Sequence, residues 1–296
     1  MPPKDDERRA DASGNDRPAR APLVARRDHA EPSLFRPENL LREARRQKGL
    51  AHGQVPPICV LDPDGDIAAH LRAGGFAARS PSWACYHTSL WELSRDGLAI
   101  GIVDRAVGAP FAVLVAEQLF VSGCRLLISV TSAGQIVESG PPPYFVLIDR
   151  ALRDEGTSYH YLPAAPFAAA PSDLVALAES ALAGLGEPVY RGASWTTDAP
   201  FRETASTIAS RRDEGILAVE MEAAALYAFG AVCARPVLCL AHVSNQLAQV
   251  ERDFEKGEHN GAEAALRVVA AIARAWLDRE ASRPVSGANP AAFRVG

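Results

Sequence analysis

The chain has 296 residues, enough for one large domain or two small ones, and its 48% hydrophobic and 23% charged residues are ordinary for a globular protein. The net charge of -5 argues against a basic nucleic-acid surface, and no apolar run reaches the roughly 18 residues of a membrane span. The five cysteines form no C-x-x-C pair, so neither a disulfide framework nor a zinc site is indicated. With no signal-peptide-like apolar region at its start, the chain is expected to be reduced and cytoplasmic.

The chain predicts one domain between two tails. Residues 1–33 are charged and hold few large apolar residues, so they are predicted to be a disordered tail. A targeting peptide is the alternative, but the acidic residues count against it. Residues 35–48 predict an amphipathic helix with Pro37 near its start. The folded domain is expected to cover 34–280, and residues 281–296 to form a flexible tail.

The stretch 98–137 predicts a β-loop-α-β unit, because the apolar segments "LAIGIV" and "CRLLISV" flank "FAVLVAEQLFVSG", which has helical length. Strands alternate with helices along the rest of the chain, which indicates a single α/β domain with a central mixed β-sheet flanked by helices. Ligands bind beyond the carboxyl ends of strands in such sheets. Function is therefore expected in the predicted loops "DPDGD", "RAVGAP", "TSAGQ", "TTDAPFRET", "EME" and "VSNQ".

Two carboxylates, Glu220 and Glu222, interrupt the apolar stretch "GILAVEMEAAALYAFGAV" where a strand is predicted to pass into a helix. One interpretation is a helix N-terminus, where acidic side chains are stabilised by the helix dipole and by free N–H groups. The other is a clamp for a polyol, since an ionised carboxylate accepts two hydrogen bonds and can grip both hydroxyls of a ribose. Position alone does not separate the two.

The segment "VEMEAAALYAFG" resembles the signature of the purine nucleoside and uridine phosphorylase superfamily, which also contains the methylthioadenosine/S-adenosylhomocysteine nucleosidases. The segments "VGAPFAVLVAEQLFVSGCRLLISVTSAGQI", "LRDEGTSYHYLP" and "TTDAPFRET" are similar to further parts of that family, in consistent order over roughly 56–280. The resemblance, closest to uridine phosphorylase-like members, implies the nucleoside phosphorylase fold and cleavage of the N-glycosidic bond of a nucleoside.

For the sugar, the resemblance implies that Glu222 binds the ribose hydroxyls and that Met221 packs against the sugar. It implies that Glu220 supports this arrangement and can also contact the ribose. It places the hydroxyl of Ser132 near the phosphate and ribose, with Thr131 beside it. The alternative for the serine is an ordinary small-residue turn. Further residues expected around the phosphate or water are Gly108, Gly134 and His87.

For the base, the resemblance implies stacking on Phe201, hydrogen bonds from Arg202 and a further wall from Trp195. The alternative is that Phe201 is core and Arg202 is solvated. Asn245 stands where purine-specific relatives carry the aspartate that protonates the leaving base, and an amide cannot act as that acid. This difference favours a pyrimidine, or a 6-oxopurine recognised by the amide.

The phosphate site departs from the family pattern. "LDPDGD" at 61–66 carries three aspartates where relatives have an arginine, and Ser129 and Ala84 stand at the other two arginine positions. His87 and Arg105 are nearby cationic candidates. Three hypotheses stay open: a phosphorylase with a rearranged phosphate site, a nucleosidase that uses water, and a non-catalytic nucleoside-binding relative. We expect no cofactor or metal beyond phosphate as a possible co-substrate, no nucleic-acid or membrane partner, and a homodimer or homohexamer.

Overall fold

The structure is a computed structural model that describes residues 22–24, 28–247 and 253–283. Its helices are α1 (Pro37–Lys48), α2 (Asp66–Ala73), α3 (Ala109–Val121), α4 (Ser158–Tyr161), α5 (Ser172–Leu182), α6 (Ala205–Asp213), α7 (Ala223–Val232) and α8 (Ala262–Ser282). Its strands are β1 (Ile58–Asp62), β2 (Ala77–Arg79), β3 (Leu90–Arg95), β4 (Leu98–Asp104), β5 (Leu126–Gln135), β6 (Tyr144–Asp154), β7 (Phe167–Ala169), β8 (Val189–Thr197), β9 (Ala218–Glu220) and β10 (Val237–Asn245).

The described strands form one mixed sheet that is partly closed on itself. Strand β5 pairs with β1 and β10 in parallel and with β9 antiparallel. The pairings β10–β6, β6–β8 and β8–β9 then complete a closed circuit of five strands. From β1 the sheet continues as an open edge through β4, β3 and β2. The predicted fold class, an α/β domain with a central mixed sheet flanked by helices, is confirmed.

Helices cover both faces of the sheet, and each face has its own apolar core. One core includes α3 and α7, which are apolar around most of their circumference and correspondingly buried. The other contains the apolar sides of α2, α5 and α8. Strands β1 and β10 lie between these layers and are buried along their whole lengths. Their near-continuous apolar runs are typical of strands covered on both faces.

Two of the predicted loops are wrong, because "TSAGQ" and "VSNQ" lie largely within strands. Residues 131–135 belong to β5, and 242–245 belong to β10. The reason is that these two polar stretches pair with each other in parallel, while Gly134 and Gln135 also pair with β9. Small polar residues predict turns, but here backbone pairing on both sides keeps the chain extended.

Five short elements, β2, β3, β7, α4 and α6, were not predicted from the sequence. Helix α8 continues to Ser282, past the predicted domain boundary. Within the predicted N-terminal tail, residues 22–24 form a 3₁₀ turn and His29 Nε2 lies 3.3 Å from the Tyr159 carbonyl oxygen. The rest of both predicted tails, 1–21, 25–27 and 284–296, lies outside the described residues. None of the described helices combines the length and the apolar character that crossing a bilayer requires.

Candidate functional site

The site begins where β9 ends and α7 starts, and Glu220 holds this junction together. Its Oε1 accepts hydrogen bonds from the hydroxyls of Ser194 (3.0 Å) and Thr196 (2.5 Å) on the neighbouring strand β8. Its Oε2 accepts from the backbone N–H groups of Glu222 and Ala223, both at 2.7 Å. Both oxygens are therefore used, and the helix-N-terminus interpretation describes Glu220 well.

Glu222 is different, because one of its oxygens is buried and unused. The residue is 1% exposed, and its Oε1 accepts from the Gly108 N–H at 2.7 Å. Its Oε2 is buried and accepts no hydrogen bond of ordinary length among the described residues; the Thr131 hydroxyl is close enough to affect the carboxylate but donates to the Ser132 carbonyl oxygen instead. Burial, followed by the charge of Glu220, raises the pKa of Glu222 to about 8, against the lowering effect of the Gly108 N–H and the Thr131 hydroxyl. An unused buried acceptor is costly unless a ligand supplies the donor.

The backbone at Gly108 requires a glycine. Its φ of 86° and ψ of 147° lie outside the regions that L-residues populate, and they turn the chain into the first residue of α3. No atom lies within 4 Å of the place where a Cβ would project, so the residue borders open space. Gly108 therefore directs its N–H to Glu222 and leaves room beside it.

Ser132 is held by an aspartate of the protein itself. Its backbone N–H donates to Asp64 Oδ2 at 2.7 Å, and its hydroxyl donates to Asp64 Oδ1 at 2.8 Å. Asp64 lies in the turn between β1 and α2. Asp62 shapes this turn by accepting from the N–H groups of Gly65 (3.1 Å) and Ala68 (2.9 Å). One carboxylate, that of Asp64, thus takes both of the donors that were expected to serve phosphate or water.

A cation that no sequence motif indicated lies beside this acidic turn. Lys256 Nζ is 2.6 Å from Asp66 Oδ2 and 3.7 Å from Asp64 Oδ1. Asn260 completes the arrangement by donating to Asp66 Oδ1 at 3.1 Å. Both residues come from the segment before α8, distant in sequence from the turn, so no local pattern contains the contact.

The two hydroxyls that serve Glu220 were also missed, although the sequence holds a weak signal for them. Ser194 and Thr196 are two residues apart on β8, and residues two apart on a strand share a face. Thr196 lies opposite Glu220 in the parallel pairing with β9, so both hydroxyls project from the face of the sheet that also carries Glu220. The alternation of residues along β8 therefore indicates that the two hydroxyls share a face, and the pairing with β9 shows that Glu220 is their acceptor.

Thr131, Gly134 and Asn245 meet in the pairing of β5 with β10. Asn245 lies opposite Gly134, and its amide nitrogen is 3.4 Å from the Ala133 carbonyl oxygen. Its Oδ1 accepts from the Leu247 N–H at 3.0 Å, so the amide supports the strand and the turn that follows. Thr131 donates weakly to the Ser132 carbonyl at 3.4 Å.

The three residues assigned to the base do not come together. Trp195 is 2% exposed, packs with Ile136 and Val219, and donates from Nε1 to Asp154 at 3.0 Å, so it is part of the core. Its assignment as a wall of the base site therefore lacks geometric support. Phe201 is fully exposed and Arg202 is exposed as well, both on a 3₁₀ turn. Their role in base recognition stays a prediction.

The remaining candidates surround the start of α3 and α7. Met221 is partly buried between the two glutamates. His87 is exposed, with its ring 6.2 Å from that of Phe111 in α3. Arg105 is exposed and its guanidinium lies 3.9 Å from Asp104, while its backbone N–H donates to the Asp62 carbonyl at 3.0 Å. Of the two cationic candidates, Arg105 is thus engaged at the acidic turn and His87 lies near the Gly108 end.

Comparisons with known proteins identify relatives of this chain and of its fold. Guanosine phosphorylase of Halorubrum lacusprofundi is 28% identical over 193 residues, which cover 61% of this chain and 73% of that protein. Two structures of uridine phosphorylase from Vibrio fischeri ES114 have the same fold. One, complexed with 6-hydroxy-1-naphthoic acid, has a TM-score of 0.65 at 20% identity and covers 76% of this chain and 93% of its own. The other has a TM-score of 0.64 at 22% identity, covering 75% and 93%.

The family model described as the Phosphorylase superfamily covers the site. It matches residues 66–274, most of the chain, and this span includes Gly108, Ser132 and both glutamates. The predicted resemblance is therefore confirmed by the family model and by the shared fold. The chain belongs to the phosphorylase superfamily.

Proposed function

We propose that the protein cleaves the N-glycosidic bond of a nucleoside and that Glu222 holds the ribose. The observation that carries the proposal is the buried Oε2 of Glu222, which accepts no hydrogen bond of ordinary length from the described residues although Oε1 is fixed by Gly108. A ribose hydroxyl is a donor of the right kind for that oxygen. The membership in the phosphorylase superfamily supports the same assignment.

The negative charge of the Glu222 carboxylate explains how it would assist cleavage of the glycosidic bond. Glycosidic cleavage passes through a sugar with oxocarbenium character, so positive charge develops on the ring. In its ionised form, a fixed carboxylate beside the ring stabilises that charge without reorganising, because its position is already set. The positive charge that develops on the sugar in turn favours ionisation of Glu222, which is mostly protonated at neutral pH while the site is empty. Glu220 acts here as a positioning residue: its four hydrogen bonds hold the start of α7, and with it the backbone of Glu222.

The proposed substrates are nucleosides whose base carries a ring carbonyl. The Halorubrum relative is a guanosine phosphorylase and the two Vibrio structures are uridine phosphorylases, and guanine and uracil share a carbonyl beside a ring N–H. Asn245 in place of an acidic residue points the same way, since an amide cannot protonate a leaving adenine but can hydrogen-bond to a ring carbonyl and the N–H beside it. We therefore rank guanosine, inosine and uridine above adenosine and cytidine.

A specific observation favours water as an alternative to phosphate as the acceptor. Asp64 already takes both donors of Ser132, and the carboxylate would repel a phosphate dianion at the same place. Lys256 lies between Asp64 and Asp66 and offsets part of this charge. A nucleosidase that uses water is thus the second candidate, beside the phosphorylase activity that the family membership favours.

One assay tests both candidates. The protein is incubated with five nucleosides, with and without phosphate, and the free base, ribose and ribose 1-phosphate are separated. Release of free base from guanosine, inosine or uridine supports the proposed function, and the sugar product identifies the acceptor. No cleavage of any of these nucleosides, with or without phosphate, by protein shown to be folded would leave only the non-catalytic nucleoside-binding hypothesis.

We further propose a dimer, or a hexamer built from dimers, in the cytoplasm. Leu34 and Phe35 are 99% and 73% exposed, and Phe35 borders a cavity of about 1070 Å³ that also touches α3 and α7. Exposed apolar groups of this size mark association surfaces. All five cysteines are free, which supports a reducing compartment. Sedimentation at micromolar concentration tests the assembly, and a monomer there would contradict it.

A further inference from the structure

A cluster of metal-ligating side chains lies outside the nucleoside site. His70 belongs to the last turn of α2, His259 to the 3₁₀ turn Glu258–Gly261, and Glu263 to the first turn of α8. Their nearest ligand atoms, two imidazole nitrogens and one carboxylate oxygen, all lie within 4.8 Å of one another. None of these three residues takes part in the contacts that hold Glu222 or Ser132.

The geometry is close to that of a metal site. His70 Nε2 and His259 Nε2 lie 3.6 Å and 3.8 Å from the same oxygen, Glu263 Oε1, and the two imidazole rings are 4.7 Å apart. In a tetrahedral site with bonds of about 2.0–2.1 Å, neighbouring ligand atoms are about 3.3 Å apart. Movements of these side chains that shorten their separations by at most about 1.5 Å would bring all three ligand atoms to the spacing of such a site.

The backbone and the surroundings support a binding role. His259 and Asn260 have φ values of 51° and 56°, so two consecutive non-glycine residues adopt the left-handed conformation that places His259 over His70. In the described part of the chain, the polar contacts of both imidazoles go to Glu263. Arg267 approaches the other oxygen of Glu263 at 3.9 Å, but it is paired more closely with Glu187.

We propose that His70, His259 and Glu263 bind a divalent transition-metal ion. Two imidazole nitrogens and one carboxylate oxygen suit Zn²⁺ best among the common ions, with water completing the coordination. The ion would tie α2 to the start of α8. It would also fix the turn whose Asn260 contacts Asp66, one edge of the acidic turn that holds Ser132. No sequence motif indicates this site, because its ligands come from two segments far apart in the chain.

Direct binding tests the proposal without any activity assay. Tag-free protein, stripped with a chelator, is titrated with Zn²⁺ in a calorimeter. We expect one saturable site in the wild type, and His259→Ala and Glu263→Gln to weaken it at least about tenfold, as the loss of a metal ligand or its support does. His259 and Glu263 are both exposed, so these variants should fold normally.

Two matched controls separate this site from adventitious binding. His52→Ala removes an exposed imidazole elsewhere, and Cys233→Ser removes the exposed thiol, so both should bind Zn²⁺ as the wild type does. A rise in Tm with Zn²⁺ in the wild type and in both controls, absent in His259→Ala, would confirm that the ion binds the folded protein at this cluster. Absence of saturable binding in the wild type, or wild-type affinity in both His259→Ala and Glu263→Gln, would overturn the proposal.

Discussion

Two strand-to-helix junctions supply the carboxylates of the site, and they differ in what their oxygens bind. At the β1–α2 turn, all six oxygens of Asp62, Asp64 and Asp66 accept a hydrogen bond from the protein itself. At the β9–α7 junction, both oxygens of Glu220 are used but only one of Glu222 is. The second junction therefore keeps an unused acceptor that the first one lacks.

The difference shows that the number of carboxylates does not mark the ligand position. Satisfied carboxylates shape the backbone, as Asp62 does for the start of α2 and Glu220 does for the start of α7. A buried oxygen without a donor is rare in folded proteins and calls for an explanation, of which a ligand is the simplest. Other buried oxygens, such as Gln118 Oε1 and Asp149 Oδ1, also lack a partner, but among the carboxylates of the two junctions Glu222 alone meets this criterion. We therefore tie Glu222 most directly to function and regard Glu220 and Asp64 as positioning residues.

The largest effect is expected from Glu220→Ala. The substitution leaves two buried hydroxyls and two backbone N–H groups without their acceptor, and each such group costs about 1–3 kcal/mol. We expect the free energy of unfolding, measured by urea denaturation, to fall by at least about 3 kcal/mol. Glu222→Gln serves as the comparison and should lose less than about 1 kcal/mol, since only one hydrogen bond is affected. Equal losses in the two variants would remove the distinction between the carboxylates.

Glu222→Gln should show its effect in catalysis instead. A neutral amide cannot stabilise positive charge on the sugar, and losing a charge-assisted bond costs about 1.5–3 kcal/mol. We expect kcat/KM on the best nucleoside to fall about tenfold to a hundredfold. The control is Glu43→Gln on the exposed face of α1, where the glutamate pairs with Arg42 and Arg46. Unchanged kcat/KM in Glu222→Gln would exclude Glu222 from the site.

The contrast between the two junctions also explains what the sequence could predict. The β-loop-α-β unit at 98–137 and the buried strands carry strong apolar patterns, so β4, α3 and the first half of β5 are predicted. The E-M-E motif identifies both glutamates. The motif does not show that both oxygens of Glu220 accept hydrogen bonds while one oxygen of Glu222 does not. That difference depends on the hydroxyls of β8 and on Gly108, which lie far from the motif in sequence.

Other features depend on tertiary contacts that no local pattern contains. Polar residues after a strand predict a loop, but Ser132 lies inside β5 because β10 pairs alongside it. Trp195 is another case: the motif places it near the base loop, whereas the alternation of β8 directs it into the core beside Val219. The contact of Lys256 with Asp64 and Asp66 joins the two ends of the folded domain.

The pH dependence of stability gives a third test of the unused acceptor. Burial raises the pKa of Glu222 to about 8 in the folded protein, against the ordinary value of 4.5. A raised carboxyl pKa means that the folded state binds the proton more tightly, so this stabilisation is present below about pH 4.5 and lost as the pH rises to 8.

We therefore expect the free energy of unfolding of the wild type, measured relative to that of Glu222→Gln, to fall between about pH 5 and pH 8. The expected fall is on the order of 1 kcal/mol or more, because a tenfold difference in proton affinity between the folded and unfolded states is worth about 1.4 kcal/mol. Urea denaturation of both proteins at several pH values measures this difference. A difference that stays constant, or that grows with pH, would show that Glu222 is ionised in the folded protein throughout.

The smallest expected effect concerns Asp64 at the β1–α2 turn and the choice between phosphate and water as the acceptor of the sugar. In the wild type, the cleavage rate should depend weakly on phosphate, because Asp64 holds both donors of Ser132 and no arginine stands at the positions that relatives use for the anion. Asp64→Ala frees these donors and removes a negative charge, while Lys256 keeps its closer contact with Asp66. We expect tens of millimolar phosphate to raise the rate of this variant about twofold to fivefold, the equivalent of up to about 1 kcal/mol for one partly exposed charge.

Asp213→Ala, which removes an exposed charge at the end of α6, is the control and should respond to phosphate as the wild type does. If the wild type already forms ribose 1-phosphate as its main product with saturable dependence on phosphate, then the anion binds despite Asp64, and the carboxylate must move from Ser132 when phosphate arrives.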